Sequence, residues 1–150
     1  AKPALPAPSR PHSNHEISAE LAEECPLSIL VVEDSILNQR VIGHILKKMG
    51  YSPVFAENGQ EGVDAARSHP YDLILMDLEM PLMDGIHATR VIREELPPSH
   101  QPAIIALSAN VVSERQQLCL EEGMNGFLSK PVRIPDLTRI IRDVASTPRL

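Results

Sequence analysis

The chain has 150 residues, of which 43% are hydrophobic and 23% charged, and its net charge is −6. This length and composition fit one globular domain with some tail rather than two domains. The scattered Lys and Arg residues argue against a nucleic-acid groove, because phosphate binding needs a concentrated basic face. We therefore expect a basic partner or a cation, and no nucleic acid.

Cysteine usage and hydropathy exclude two further classes of protein. Cys25 and Cys119 lie far apart without a CxxC or histidine spacing, so we expect neither a disulfide framework nor a zinc site. No apolar run approaches the roughly 20 residues of a membrane span, and the N-terminus has no signal-peptide pattern. The sequence predicts a cytoplasmic fragment without direct membrane contact, whose parent chain could still be anchored in a membrane.

The N-terminal region differs in composition from the rest. The first 26 residues hold five of the 14 prolines, which predicts a mostly flexible linker over 1–26 and makes an upstream domain plausible. The segment "EISAELAEE" could add a short, weakly held helix through Ile17 and Leu21. We expect the folded domain over 27–146 and a C-terminal tail over 147–150.

Five short apolar runs alternate with helical patterns from Leu27 onward. They are, in chain order, "LSILVV", "YSPVFA", "DLILM", "PAIIAL" and "GFLS". Strands that alternate with helices predict parallel pairing through right-handed crossovers, and runs this apolar predict strands covered on both faces. The sequence therefore predicts a three-layer, doubly wound α/β fold.

The helical segments carry capping signals and apolar stripes. Asn58 and Glu61 suit a capping pair at the second helix, Asp84 suits a cap of the third, and Pro135 suits the first turn of the last. The fourth segment, "VVSERQQLCLEEG", has the least regular stripe and is expected to dock loosely. The first and last helices are expected to bury Leu37, Val41, Ile42, Ile45, Leu46 and Met49, and Leu137, Ile140, Ile141 and Val144, respectively.

Polar side chains follow four of the five predicted strands. Glu33 and Asp34 follow the first strand, Asp77 the third, Ser108 the fourth and Lys130 the fifth. One polar residue at a strand end is usually solvated or a cap. Five polar residues along one edge of the sheet favour a ligand site instead, because ligands of doubly wound sheets bind outside the carboxyl ends of the strands.

The convergence of three carboxylates requires compensation. At ~5 Å and an effective dielectric constant near 20, each pair would repel by ~3 kcal/mol. Either a carboxyl keeps its proton or a hard divalent cation such as Mg²⁺ shares the oxygens, with Lys130 adding positive charge. Acids, a hydroxyl and an ammonium group together predict a phosphoryl-transfer site in which a carboxylate is the nucleophile.

The motifs "ILVVEDS", "LILMDLEMPLMDG", "ALSAN" and "FLSKP" resemble, in order, those of the receiver domain of two-component response regulators. The resemblance covers roughly 27–145 and implies a flavodoxin-like (βα)5 fold with strand order 2-1-3-4-5. It implies Mg²⁺-dependent transfer of a phosphoryl group from a phosphohistidine to Asp77, with Mn²⁺ as a substitute metal. The segments "EDSILNQRV", "HATRVIR" and "SANV" resemble receivers attached to hybrid sensor histidine kinases more than those attached to DNA-binding domains.

The same resemblance assigns roles around Asp77. It implies that Glu33 and Asp34 are the metal-binding pair, completed by Asp77 and the backbone carbonyl of Glu79. Lys130 would pair with the phosphoryl group. Glu33 stands where an Asp is frequent in the family, so its longer side chain is expected to reach the metal through water.

A switch is also implied. Ser108, which replaces the commoner Thr, would move toward the phosphoryl group, and Phe127, which lacks a Tyr hydroxyl, would fill the vacated space. This change would alter the surface of the fourth helix, fifth strand and fifth helix. Glu79 and Asn110 lie where the family tunes hydrolysis, and Lys130–Pro131 lies where a cis bond is common.

The implied partners are a histidine kinase core, in the same or another chain, and a histidine phosphotransfer protein. The fragment itself would be a phosphoacceptor and switch rather than a turnover enzyme. Two alternatives stay open at this point: a haloacid-dehalogenase-like phosphatase, whose nucleophile would however follow the first strand, and a pseudo-receiver that only binds partners. The segment "NHEIS" (14–18) and the pair His12 and His15 are better explained as solvated tail than as a phosphoacceptor box or a metal site.

Overall fold

A parallel sheet of five strands organises the chain. The computed structural model describes residues 20–81, 83–109 and 112–147. The strands are β1 (Ile29–Val32), β2 (Val54–Ala56), β3 (Leu73–Asp77), β4 (Ala103–Ser108) and β5 (Gly126–Ser129). They pair in the order β2-β1-β3-β4-β5, and every neighbouring pair is parallel. The flavodoxin-like, doubly wound fold and its strand order are confirmed.

A helix follows each of the five strands. They are α1 (Ile36–Lys48), α2 (Gly59–Ser68), α3 (Gly85–Glu95), α4 (Ser113–Glu121) and α5 (Ile134–Ser146). A one-turn helix, Leu21–Glu24, precedes β1, and a short 3-10 turn, Pro98–His100, precedes β4. No helix in these described segments has the length and apolar character needed to cross a membrane.

Two apolar layers enclose the sheet. Every residue of β1, β3 and β4 is buried. Ile29 and Val31 join the layer that contains α1 and α5, whereas Leu30 and Val32 join the layer that contains α2 and α3. Because strand side chains alternate between the two faces, this division confirms that the central strands are covered on both sides.

The predicted caps are present. Asn58 Oδ1 accepts a hydrogen bond from the Glu61 amide at 2.8 Å, and Asp84 Oδ1 accepts one from the His87 amide at 2.8 Å. Glu61 reaches back to the amide of Glu57 at 2.9 Å, one residue before the cap itself. These bonds satisfy backbone donors that a helix leaves unpaired at its first turn.

The stripe predicted for α1 is wrong in its first half. Leu37 and Val41 are 69% and 42% exposed, whereas Ile42, Ile45 and the later apolar residues of the helix are buried. Successive residues turn by about 100° in a helix, so an i, i+4 series drifts by about 40° at each step. The first members of the series therefore leave the face on which its last members are buried.

The other two predicted helix faces are as expected. In α5, Leu137, Ile140, Ile141 and Val144 are all buried, and Pro135 lies in the first turn. In α4, Cys119 is the buried residue, while Leu118 and Leu120 are exposed. Among the described helices longer than one turn, α4 thus has the fewest buried residues.

Packed structure begins before β1. Leu21 and Cys25 are buried in the layer of α1 and α5. The Tyr51 hydroxyl donates to the Cys25 carbonyl at 2.6 Å, and the Ala22 amide donates to the Met49 carbonyl at 3.1 Å. The end of the segment that composition predicts as linker therefore packs against the core.

Some predicted features lie outside the described residues. These are most of the linker, including residues 14–18 with His12 and His15, and also Asn110 and residues 148–150. Cys25 and Cys119 are both free and buried.

Candidate functional site

Three carboxylates meet at the carboxyl edge of the sheet. Glu33 and Asp34 follow β1, and Asp77 is the last residue of β3, the strand beside it. One carboxylate oxygen from each of the three lies within 4.8 Å of the others. Glu33 and Asp77 are fully buried, whereas Asp34 is exposed. The structure therefore brings the three predicted acids together at this edge of the sheet.

Lys130 supplies positive charge to the same cluster. Its ammonium nitrogen lies 2.7 Å from Asp77 Oδ1 and 3.3 Å from Glu33 Oε1. The Lys130 amide donates to the Ser108 carbonyl at 3.0 Å, which continues the pairing of β4 and β5 by one residue. The bond from Lys130 to Pro131 is cis, as the resemblance implied.

The two oxygens of Asp77 have different surroundings. Oδ1 accepts from the Lys130 ammonium and, at 3.0 Å, from the Glu79 amide. Oδ2 is buried and has no hydrogen-bond partner in the described part of the chain, and Glu33 Oε1 is buried with only the 3.3 Å ion-pair contact to Lys130 among the described residues. Because buried polar atoms nearly always have partners, these oxygens fit a site that a hard cation completes.

The electrostatics favour a proton or a cation at this place. Burial raises the pKa of Asp77 to about 7, with the Glu33 carboxylate adding to the rise while Lys130 and the Glu79 amide oppose it. Burial alone would lower the pKa of Lys130, but the carboxylates of Asp77 and Glu33 raise it overall. One ammonium group thus compensates only part of the negative charge.

Ser108 ends β4 beside the acidic cluster. It is 2% exposed, and its hydroxyl donates to Glu79 Oε2 at 2.8 Å. The same carboxylate oxygen receives a hydrogen bond from Arg115, in the first turn of α4, at 3.1 Å. In this structure the Ser108 hydroxyl therefore contacts the loop that follows Asp77.

Phe127 lies farther from the acids, in β5. It pairs with Ala106 in the register of β4 and β5, two residues before Ser108. Its ring is partly buried against the layer that contains α2 and α3. Phe127 therefore lies on the edge strand of the sheet, next to the strand that ends in Ser108.

Two features of the site were missed by sequence reasoning. Arg115 could not be distinguished from the other charges of a solvated helix, because nothing in "SERQQ" indicates that its partner lies 36 residues earlier in the chain. The exposed apolar residues Ile36 and Leu37 open α1 directly after the acidic pair. Val41, one turn later, lines a small cavity with Glu33 and Lys130.

Comparison with known proteins places the chain among signalling proteins. The family model described as the response regulator receiver domain matches residues 29–142. Hybrid signal transduction histidine kinase B of Dictyostelium discoideum is 44% identical over 119 residues, 73% of this chain and 6% of that protein. Histidine protein kinase 1 of Candida albicans is 38% identical over 138 residues, 86% of this chain and 6% of that protein. The chain thus spans a small fraction of these relatives.

Solved structures agree with the family match. The receiver domain of a sensor histidine kinase from Pseudomonas aeruginosa, with a magnesium ion coordinated in its active site cleft, is 38% identical at a TM-score of 0.72, covering 81% of this chain and 98% of that one. A Saccharomyces cerevisiae response regulator receiver, crystallised with its histidine phosphotransfer protein, is 31% identical at a TM-score of 0.75, with coverages of 83% and 92%. By fold, motif order and sequence, this chain belongs to the response regulator receiver domain family.

Proposed function

We propose that this domain receives a phosphoryl group on Asp77 from a phosphohistidine, with Mg²⁺ bound at the acidic cluster. The observation that carries the proposal is Asp77 Oδ2, which is buried beside Glu33 without a hydrogen-bond partner among the described residues. Lys130 and the Glu79 amide occupy the other oxygen. The carboxylate is thus held in place by one oxygen, while no hydrogen bond among the described residues engages the second.

The transfer is a substitution at phosphorus. Asp77 Oδ2 forms a bond to phosphorus while the bond from phosphorus to the imidazole nitrogen breaks. That nitrogen keeps the bonding electron pair, and a proton carried on the other ring nitrogen of the phosphohistidine makes the leaving imidazole neutral. Lys130 stabilises the negative charge of the phosphoryl oxygens. The product is an aspartyl phosphate, and the neutral histidine returns to its own protein.

The metal donors come from two strand ends. Asp34, Asp77 and the backbone carbonyl of Glu79 would hold Mg²⁺, with Glu33 acting directly or through water, and Mn²⁺ would take the same oxygen donors. When bound, the metal neutralises charge on the transferring phosphoryl group. The magnesium ion in the Pseudomonas aeruginosa receiver supports this assignment.

The response to phosphorylation would be a rearrangement of the surface of α4, β5 and α5. Ser108 would turn its hydroxyl to the phosphoryl group, and Phe127 would move into the vacated space. The weak burial of α4, with Cys119 as its buried residue, supports a helix that shifts at low cost. Asn110 and Glu79 would tune the lifetime of the phosphoryl group.

The partners would be a histidine kinase core as donor and a histidine phosphotransfer protein. The similarity to hybrid histidine kinases and to a receiver crystallised with a phosphotransfer protein supports both. The exposed apolar residues Ile36 and Leu37, directly beside the acidic pair, would contact an apolar surface next to the donor histidine. A cytoplasmic location and a domain extending over roughly 27–146 are part of the same proposal.

The phosphatase alternative finds no support. In that class the nucleophile follows the first strand, whereas here the acidic pair follows β1 and Asp77 ends β3. A pseudo-receiver would have the same fold, and only chemistry distinguishes it from a phosphoacceptor.

The test is intact-mass spectrometry after incubation with acetyl phosphate. With Mg²⁺ the wild-type chain is expected to gain one phosphoryl group, and Asp77→Asn none. Omission of the metal or Asp34→Asn should greatly reduce the gain. An unmodified wild-type chain, or equal modification of Asp77→Asn, would reject the proposal in favour of a binding module.

A further inference from the structure

Glu79 joins three parts of the site through one side chain and one amide. Its amide donates to Asp77 Oδ1 at 3.0 Å. Its carboxylate oxygen Oε2 accepts from the Ser108 hydroxyl at 2.8 Å and from Arg115 at 3.1 Å. The residue therefore contacts the phosphoacceptor, the end of β4 and the first turn of α4 at once.

The two bonds to Oε2 differ in strength. Ser108 is 2% exposed, and a hydrogen bond from a buried hydroxyl to a carboxylate is stronger than a bond between neutral groups. The ion pair is more accessible, with side-chain exposures of 35% for Arg115 and 44% for Glu79, so it contributes little alone. Its effect is to hold the carboxylate in front of Ser108.

The Ser108 hydroxyl has one proton to donate. In the proposed function, on which this inference rests, that proton goes to an oxygen of the phosphoryl group on Asp77. The bond to Glu79 must then break, because one proton does not serve both acceptors. We propose that Glu79 and Arg115 form a latch that holds Ser108 in the unphosphorylated arrangement and reports its release to α4.

The latch would act by shifting a population. It stabilises the unphosphorylated arrangement alone, so its removal leaves a larger fraction of molecules ready for the phosphorylated one. Loss of the buried bond from Ser108 to Glu79 is expected to tighten the binding of a phosphoryl mimic by roughly threefold to tenfold, and loss of the more exposed Arg115 pair is expected to tighten it by a smaller factor. Arg115 and the Glu79 carboxylate are positioning residues, since in this account neither touches the phosphoryl group.

The probe is beryllofluoride with saturating Mg²⁺, which does not hydrolyse and so separates affinity from phosphoryl lifetime. Its dissociation constant would be measured by fluorine NMR for the 150-residue chain and its variants. Glu79→Ala alone is ambiguous, because it also removes a negative charge near an anion site. Arg115→Ala is decisive: loss of a positive charge weakens anion binding by simple electrostatics, whereas loss of the latch tightens it.

The matched control is Arg139→Ala. Arg139 lies on α5, its side chain is 61% exposed and it pairs with Asp136. The Arg139→Ala substitution therefore removes the same charge as Arg115→Ala without altering a contact of Glu79. Arg115→Gln, which keeps most of the side-chain length, covers the case in which Arg115→Ala does not fold. Both Arg115 variants should bind the probe more tightly than wild type, and Arg139→Ala should match wild type.

A double-mutant cycle tests whether the effect passes through Ser108. In a Ser108→Ala background, Arg115→Ala should no longer tighten binding. Unchanged or weaker binding in the Arg115 variants, or tighter binding that persists without Ser108, would overturn the latch. If wild type itself binds no beryllofluoride, or Asp77→Asn binds it equally, the proposed function fails instead, so the two failures are distinguishable.

Discussion

Asp77 combines a reactive role with an electrostatic cost to the fold. It is fully buried, and burial raises its pKa from 3.8 to about 7. The folded chain therefore binds this proton more tightly than the unfolded chain. The stability that depends on this proton is present below pH 3.8, the ordinary pKa of the group. It is lost as the pH rises through about 7, the pKa in the folded chain.

This linkage predicts the behaviour of Asp77→Asn. Without divalent cations the variant should be more stable than wild type at pH 8, by on the order of 2 kcal/mol. The advantage should shrink to a small remainder near pH 4, where the wild-type carboxyl is protonated in the folded chain and about half protonated in the unfolded chain. Urea unfolding at the two pH values measures the difference.

The control is Asp143→Asn at an exposed position of α5. It should change stability little at either pH. If Asp77→Asn changes the free energy of unfolding by the same amount at pH 4 and pH 8, the pKa of Asp77 is not raised in the folded chain.

At the scale of elements, a close approach holds the loop after β3 against α3. A Cβ atom on Gly85, the first residue of α3, would overlap the backbone carbonyl of Asp77 and lie 2.9 Å from Met76 Cγ. Gly43, within α1, would meet only the end of the Phe55 ring, at 2.8 Å from Cζ. A backbone neighbour cannot move aside as a side chain can, so the two positions differ in tolerance.

Gly85→Ala is therefore expected to destabilise the chain by about 2 kcal/mol or more, because the loop that carries Glu79 must shift. Gly43→Ala should be within about 1 kcal/mol of wild type, since the gain in helix propensity offsets a displaced ring. Thermal unfolding of both variants gives the comparison. Equal losses would show that the Asp77 loop is not held by this contact.

Predictability from sequence also differed between elements. The strands and the face of α5 could be predicted, because apolar runs and a regular stripe directly reflect burial in a sheet core. The stripe of α1 misled at Leu37 and Val41, since apolar spacing does not reveal which side of a helix faces outward. The contact between Arg115 and Glu79 could not be predicted, because it depends on how the loop after β3 and the start of α4 are placed in space.

At the scale of the whole molecule, the chain before β1 is tied to the side of the sheet that carries α1 and α5. Leu21 is buried, and Glu24 pairs with Arg142 of α5 at 3.2 Å. The Tyr51 hydroxyl, whose pKa burial raises to about 12, bonds the Cys25 carbonyl. The composition of the first 26 residues predicts a linker, and the pattern "EISAELAEE" predicts at most a weakly held helix through Leu21, so neither predicts this packing against the core.

Leu21→Ala should accordingly cost about 2–3 kcal/mol of unfolding free energy, as expected for a buried leucine. Leu118→Ala, at a position 42% exposed on α4, is the matched control and should cost less than about 0.5 kcal/mol. Chemical denaturation of both proteins compares them. Similar small losses would mean that the segment before β1 contributes nothing to the domain.

The central claim is that Asp77 forms an aspartyl phosphate, and borohydride reduction tests it most directly. Reduction of an acyl phosphate converts the aspartate to homoserine, which marks the modified residue in a peptide mass map. After incubation with Mg²⁺ and a phosphoryl donor, the account predicts homoserine at position 77 and at no other acidic position. An unreduced Asp77, or instead homoserine at Asp34 or 2-amino-5-hydroxypentanoate at Glu33 or Glu79, would contradict it.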